Sequence, residues 1–186
     1  MGRMTLPSTY ADRNCSLARA LEIVGERWTL LIIRDAFFGV RRFGDFAAQL
    51  KIPRAVLANR LKSLVQEGVL SREDDAAGGV EYRLTDKGVA LWPIVRTMMA
   101  WGDEFYSPAG AKRVMRHDRD GGLLDHDGRC QVCGSVIPVP ETLIEPGPGF
   151  DPPGADGDPL AIAISAPRRL LEPAATSRTA ASDAAS

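Results

Sequence analysis

The chain has 186 residues, 45% of them hydrophobic, enough for one domain of ordinary size with extensions. No apolar run approaches the roughly 20 residues needed to span a bilayer, and residues 1–15 hold no apolar stretch leading to a small-residue cleavage site, so a cytoplasmic protein with no membrane partner is expected. Three cysteines, Cys15, Cys130 and Cys133, do not make a disulfide framework and fit a reducing compartment.

The formal net charge of −1 argues against nucleic acid only until it is divided along the chain. Residues 1–113 carry 17 Lys and Arg against 13 Asp and Glu, a balance of +4; residues 114–186 carry 6 against 11, a balance of −5. Between Arg41 and Lys62 stand six basic residues (Arg41, Arg42, Lys51, Arg54, Arg60 and Lys62) and one acid, Asp45. Charge alone describes a solvated face equally well.

Taken in order, "NCSLARALEIVG" spaces Leu17, Ala20, Leu21 and Val24 as a helix, with Asn14 as its N-cap and Gly25 as its stop. "ERWTLLIIRDAFFG" sets Trp28, Leu31, Ile32 and Ala36 on one face of a second, central helix ending at Gly39. "FGDFAAQL" is a two-turn helix with Phe43, Phe46 and Leu50 inward. Pro53 then opens another helix, where its missing N–H costs nothing. Leu57, Leu61, Leu64 and Val65 form the buried stripe of that helix, and Gly68 ends it. "GVLSRE" and "VEYRLTDKG" are β-prone and joined by "DDAAGG", a hairpin. Thr85 to Gly88 cap the next helix, "VALWPIVRTMMAWGDEFY". Pro93 imposes either a kink or a late start on it. Its residues Leu91, Ile94, Val95, Met98, Met99, Trp101 and Phe105 exceed what one side of a small domain can bury, so a partner subunit is expected, with packing on the first helix of the same chain as an alternative for part of this surface.

This order, short helix, basic helix, then hairpin, is a helix-turn-helix with a wing, which offers one helix to the major groove of DNA. The fold class is mainly α with a small β-wing, followed by a Cys-x-x-Cys segment and a low-complexity tail. The outer face of the basic helix is Ala55, Ala58, Asn59, Lys62 and Gln66, with Arg54 and Arg60 flanking it. Small residues at 55 and 58 permit close approach to base edges. Asn pairs with adenine, and Arg or Lys with guanine or phosphate. With Arg42 and Arg83 added from outside the helix, the expected DNA contacts are Arg42, Arg54, Ala55, Ala58, Asn59, Arg60, Lys62 and Arg83, with Arg60 either a phosphate contact or a structural residue.

The run "CSLARALEIVGERWTLLIIRDAFFGVRRFGDFAAQL", continued by "LANRLKSLVQEGVLSRE", "VEYRLTDKG" and "WG", resembles the HxlR-type winged-helix regulators, close to the MarR group, over about residues 15–102. The resemblance implies a homodimer held by the first and last helices of the domain, binding palindromic promoter DNA, more often as a repressor. It also implies that Cys15 is a redox sensor answering to an oxidant or small-molecule effector. Independently, a cysteine in the first turn of a helix lies in a partial positive charge that favours thiolate, although free cysteines are as often small core residues. Two departures concern the wing and the helix start. No Arg precedes Val80 where the family often has one, and Glu73, Asp74 and Asp75 are acidic, which leaves Arg72 and Arg83 as the wing's candidates. Pro53 stands where the family often has a capping serine.

Cys130-Gln-Val-Cys133-Gly134 has the form of a zinc knuckle, which supplies two thiolates. The only histidines in the chain, His117 and His126, lie just upstream, so a Zn2+ site of Cys130, Cys133, His117 and His126 is an expectation, although the spacing is not that of a standard finger. No phosphate loop, nucleophile elbow or His-paired nucleophile is present, so the chain is read as a non-enzyme. Two rival readings remain open: a thiol-redox protein using Cys130 and Cys133, and a winged-helix module that binds protein. The organisation expected is an N-terminal arm at 1–14, the winged-helix and dimerisation domain at 15–106, a Cys/His-containing extension at 107–149, and a disordered tail at 150–186.

Overall fold

The computed structural model describes residue 10 and residues 14–75, 78–154 and 157–174. Four helices come first: α1 (Ser16–Val24), α2 (Thr29–Phe37), α3 (Phe43–Leu50) and α4 (Arg54–Gln66). A hairpin of β1 (Leu70–Asp74) and β2 (Val80–Leu84) follows, then the single turn α5 (Asp86–Val89) and the long α6 (Trp92–Tyr106). The winged helix-turn-helix expected from the sequence is the observed fold.

Local chemistry accounts for the boundaries. Thr85 Oγ1 accepts a hydrogen bond from the Gly88 N–H (3.2 Å) and donates to the Gly68 carbonyl (2.6 Å), tying α5 to the end of α4. Pro93 sits in the first turn of α6, so the chain takes a late helix start and not a kink. Helix α1 differs by a residue from expectation: Cys15, not Asn14, is its N-cap, and no side chain there caps a backbone N–H.

The central helix α2 packs on several neighbours, α3, α6 and β2, and this widens and turns its buried stripe. Ile32, Ile33, Ala36 and Phe37 are buried, while Leu31, expected to face inward, is 40% exposed. Trp28 only half enters the core and takes a left-handed backbone conformation (φ 78°) at the helix start. Phe37 meets Trp92 of α6 at a centroid distance of 4.8 Å. Leu57, Leu61 and Leu64 of α4 are fully buried against this core, each stabilising the fold by about 1.5–3 kcal/mol. This fixes which side of α4 turns outward.

The β1–β2 hairpin is antiparallel in the register Leu70↔Leu84 to Asp74↔Val80. The Tyr82 N–H donates to the Arg41 carbonyl (2.7 Å), and Arg42 bridges to Glu81, so the chain before α3 runs alongside the wing.

Beyond α6 a second antiparallel sheet is built from β3 (Arg113–His117), β4 (Thr142–Pro146) and β5 (Arg168–Arg169), in the order β3-β4-β5. Helix α7 (Pro159–Ser165) precedes β5. Met115, Ile144, Leu160, Ile164 and Leu170 join the same hydrophobic core as the winged helix.

The expectation of a disordered tail is therefore corrected for 157–174; the tail beyond 174 lies outside the described residues. Asp158 caps α7 by accepting from the Leu160 and Ala161 N–H groups (2.9 and 3.2 Å), and Leu160, Ile164 and Leu170 bury their side chains. Arg113 of β3 donates to the Ile164 and Ser165 carbonyls at the other end (3.1 Å each), a cation at a helix C-terminus. Burial pushes the Arg113 guanidinium down to about 10. The Leu171 N–H donates to the Phe37 carbonyl (2.8 Å) and the Ala174 N–H to that of Gly39 (3.0 Å). Gly39 (φ 87°) is required here, because a Cβ would collide with the Glu172 carbonyl oxygen. The extension and the winged helix share one hydrophobic core.

Candidate nucleic-acid interface

The turn into α4 runs through Lys51, in the left-handed region (φ 50°), and the buried Ile52 to Pro53. The Arg54 guanidinium lies over the Phe43 ring of α3 (5.0 Å to the centroid) and links the two helices of the motif. With Leu57, Leu61 and Leu64 inward, the opposite face of α4 presents Arg54, Ala55, Ala58, Asn59, Lys62 and Gln66, all exposed. Five of the residues expected to touch DNA thus share one accessible surface.

The other three are placed differently. Arg60 is half-buried and faces Glu26 (3.3 Å), and its Nε is buried with no hydrogen-bond partner. It braces α4 against the α1–α2 junction. Arg42 is ion-paired to Asp75 in the wing turn, where Asp75 also accepts from the Gly79 N–H (2.7 Å). Arg83 pairs with Glu81 (2.8 Å) and Glu73 (3.3 Å). Arg41 stands 3.6 Å from Glu81 and donates to the Leu171 carbonyl (3.0 Å). Wing cations are thus largely engaged by wing acids, while Arg72 is exposed. Arg54 and Lys62 are the exposed cations that α4 offers a phosphate backbone.

On the α1 and α6 surfaces Leu17, Leu21, Ile94, Met98, Trp101, Phe105 and Tyr106 are all exposed, and Trp101 packs on the rings of Phe105 and Tyr106 at 5.4 and 5.3 Å. Cys15, exposed, starts α1 beside Leu17. Its neighbour Arg13 lies outside the described residues.

The potential metal ligands separate into two groups. His117, Asp120, Cys130 and Cys133 bring one ligand atom each to within 4.8 Å of one another. His126 is left out: its side chain is 76% exposed and lies beside Asp127. Asp120, and not the expected His126, stands with the other three, because the turn after β3 folds residue 120 back toward residue 117 while 126 sits at the tip of the next turn. Asp120 was missed in the sequence, where its spacing of three from His117 in "HDRD" was the only signal. The Gly122 N–H, donating at 2.9 Å, is the main cause that holds the Asp120 carboxyl at about 2, well below the usual carboxylate range. Burial pushes the Cys130 thiol up, while the Ser135 N–H holds the Cys133 thiol down.

The family model described as HxlR-like helix-turn-helix matches residues 23–109. An uncharacterized HTH-type transcriptional regulator of Mycobacterium tuberculosis is 46% identical over 138 residues, covering 73% of this chain and 87% of that protein. The chain belongs to the HxlR-like helix-turn-helix family. The HTH-type transcriptional regulator YodB of Bacillus subtilis is 36% identical over 92 residues, 48% of this chain and 82% of YodB. The solved structure of PA1607, described as a transcription factor, superposes with a TM-score of 0.54 and 34% identity, covering 79% of this chain and 94% of that one. This HxlR-like chain is accordingly a transcriptional regulator with a helix-turn-helix DNA-binding domain. None of its described helices is long and apolar enough to cross a membrane.

Proposed function

We propose that this HxlR-like regulator binds palindromic promoter DNA as a homodimer, represses transcription there, and is released by modification of Cys15. The observation that carries the reading is the outward face of α4. Arg54, Asn59 and Lys62 are exposed side by side with Ala55 and Ala58, on a helix whose other face is locked into the core. Such a face can lie against base edges, with Asn59 reading adenine and Arg54 and Lys62 meeting guanine or phosphate.

The second copy is argued from the exposed apolar surface of α1 and α6. Leu17, Leu21, Ile94, Met98, Trp101 and Phe105 are too many large apolar groups for a surface left to water. Pairing two copies through it makes a twofold dimer, which reads a palindrome with its two α4 helices about 34–36 Å apart. Cys15 lies at the start of one of these helices, so an adduct on its thiol disturbs the pairing and with it the spacing of the reading helices.

The test is footprinting of the purified protein on the DNA upstream of its own reading frame, with sedimentation of the complex. Protection of two half-sites one helical turn apart by a dimer, lost when salt is raised, is the expected result. Absence of salt-sensitive binding to any duplex favours a protein-binding module, and turnover of a disulfide substrate favours a thiol-redox protein.

A further inference from the structure

We infer that His117, Asp120, Cys130 and Cys133 form a zinc site that holds the segment between β3 and β4 closed, independently of the reading helix. The four residues come from the end of β3 and two turns of the excursion that follows it. His117 ends β3, Asp120 lies in the turn after it, and Cys130 and Cys133 flank the knuckle. Their ligand atoms converge to within 4.8 Å of one another, close enough for small side-chain shifts to close a tetrahedron around an ion. His117 Nδ1 is 2.9 Å from Asp120 Oδ2 and 3.7 Å from Cys133 Sγ, and Cys130 Sγ is 3.3 Å from Asp120 Oδ1. Zn–N, Zn–O and Zn–S bonds of about 2.0–2.3 Å place the ligands of a tetrahedron about 3.3–3.8 Å apart. Two thiolates and an imidazole select a borderline-soft ion over Mg2+ or Ca2+, and a carboxylate is an ordinary zinc ligand.

The surroundings are those of a ligand cage more than of a redox pair. The Val132 N–H points at Cys130 Sγ (3.4 Å), and the Cys130 N–H and carbonyl are bonded to the Ser135 carbonyl and Gly134 N–H (2.8 and 2.9 Å), a turn that presents both sulfurs to one side. Glu141 Oε2 lies 3.6 Å from the far nitrogen of His117 and is held by Arg119 at 3.0 Å. A carboxylate hydrogen-bonded behind a ligating histidine fixes its tautomer and orientation, and Glu141 stands just outside that reach. Gly122 donates to Asp120, and a Cβ at that position would strike Cys130 Sγ and stand 3.0 Å from Asp120 Oδ1, so the chain leaves this side open to the ligands.

With four protein ligands the ion has no open position and acts structurally. Among the described residues, the excursion from 118 to 141 contains no α-helix or β-strand, only a 3-10 turn at Val139–Glu141 and isolated bridges such as Leu124↔Cys130. A metal cross-link replaces the hydrophobic core that so short a segment cannot build.

The experiment measures metal content on the full chain, so its outcome does not depend on DNA binding. Protein purified under reducing conditions without chelator should contain one zinc per chain. Replacement by Co2+ should give the visible bands of a tetrahedral site together with thiolate charge transfer. D120N and C133S should lose zinc in competition with a chromogenic chelator, H126A should retain it fully, and E141Q should lower affinity about 10–100-fold. E141Q and H126A leave the four ligands in place and keep the test decisive if a ligand variant fails to fold. Absence of stoichiometric zinc and of cobalt charge transfer in folded protein overturns the proposal, as does zinc loss in H126A with retention in D120N.

Discussion

The role proposed for α4 makes a quantitative demand on two exposed side chains, Asn59 and Lys62. Both point away from the Leu57–Leu61–Leu64 stripe, so their removal touches no packing and should change stability by no more than about 0.5 kcal/mol. Binding is another matter, because the proposed dimer carries each residue twice. Lys62→Ala removes two phosphate contacts and should flatten the slope of log K against log salt by about 1.8, at about 0.9 per phosphate. Asn59→Ala removes one base contact per half-site at about 1–3 kcal/mol each. Specific affinity should then fall by about 2–6 kcal/mol, at least 30-fold, with non-specific affinity nearly unchanged. Fluorescence anisotropy of a labelled operator fragment, titrated over a series of salt concentrations and paired with thermal melts, separates the two effects. A folded Arg54/Asn59/Lys62 triple-alanine variant that keeps wild-type affinity and salt slope would refute the assignment of α4 as the reading helix.

Arg60→Ala should leave the salt slope unchanged, because Arg60 faces Glu26 at 3.3 Å. Its effect should appear in the melt, at about 0–1 kcal/mol for a partly exposed pair. Leu170→Ala should destabilise by about 2–5 kcal/mol in urea unfolding, since Leu170 is 1% exposed; a change below 0.5 kcal/mol would mean that the segment does not dock in solution. Trp101→Glu together with Met98→Glu should give a folded monomer by sedimentation with lost operator affinity, and a variant that remains dimeric would remove α6 from the interface. Cys15→Ser should bind DNA normally but ignore diamide, whereas loss of binding as readily as in the parent protein would exclude Cys15 as the sensor.

The winged helix itself was legible residue by residue. The spacing of Leu57, Leu61 and Leu64 determines which side of α4 is buried, and therefore which side is exposed, because a helix repeats every 3.6 residues whatever it packs against. Pro53, Gly68 and Thr85 mark boundaries through backbone chemistry that acts within a few residues. Long-range packing is a different kind of information. Leu31 or Ile33 as the inward residue of α2 was decided by neighbours on several sides, which periodicity within nine residues does not distinguish. Segment 157–174 has the composition of a loose tail, and it became ordered because Leu160, Ile164 and Leu170 found a shared core with α2 and α3. Charge in the sequence marked Arg42, Arg60 and Arg83 as DNA contacts, yet ion pairs with Asp75, Glu26, Glu73 and Glu81 engage them within the protein. The choice of Asp120 over His126 follows the same logic. Cys-x-x-Cys marks two candidate ligands locally, but only the path of the chain after β3 decides which third and fourth side chains arrive beside them.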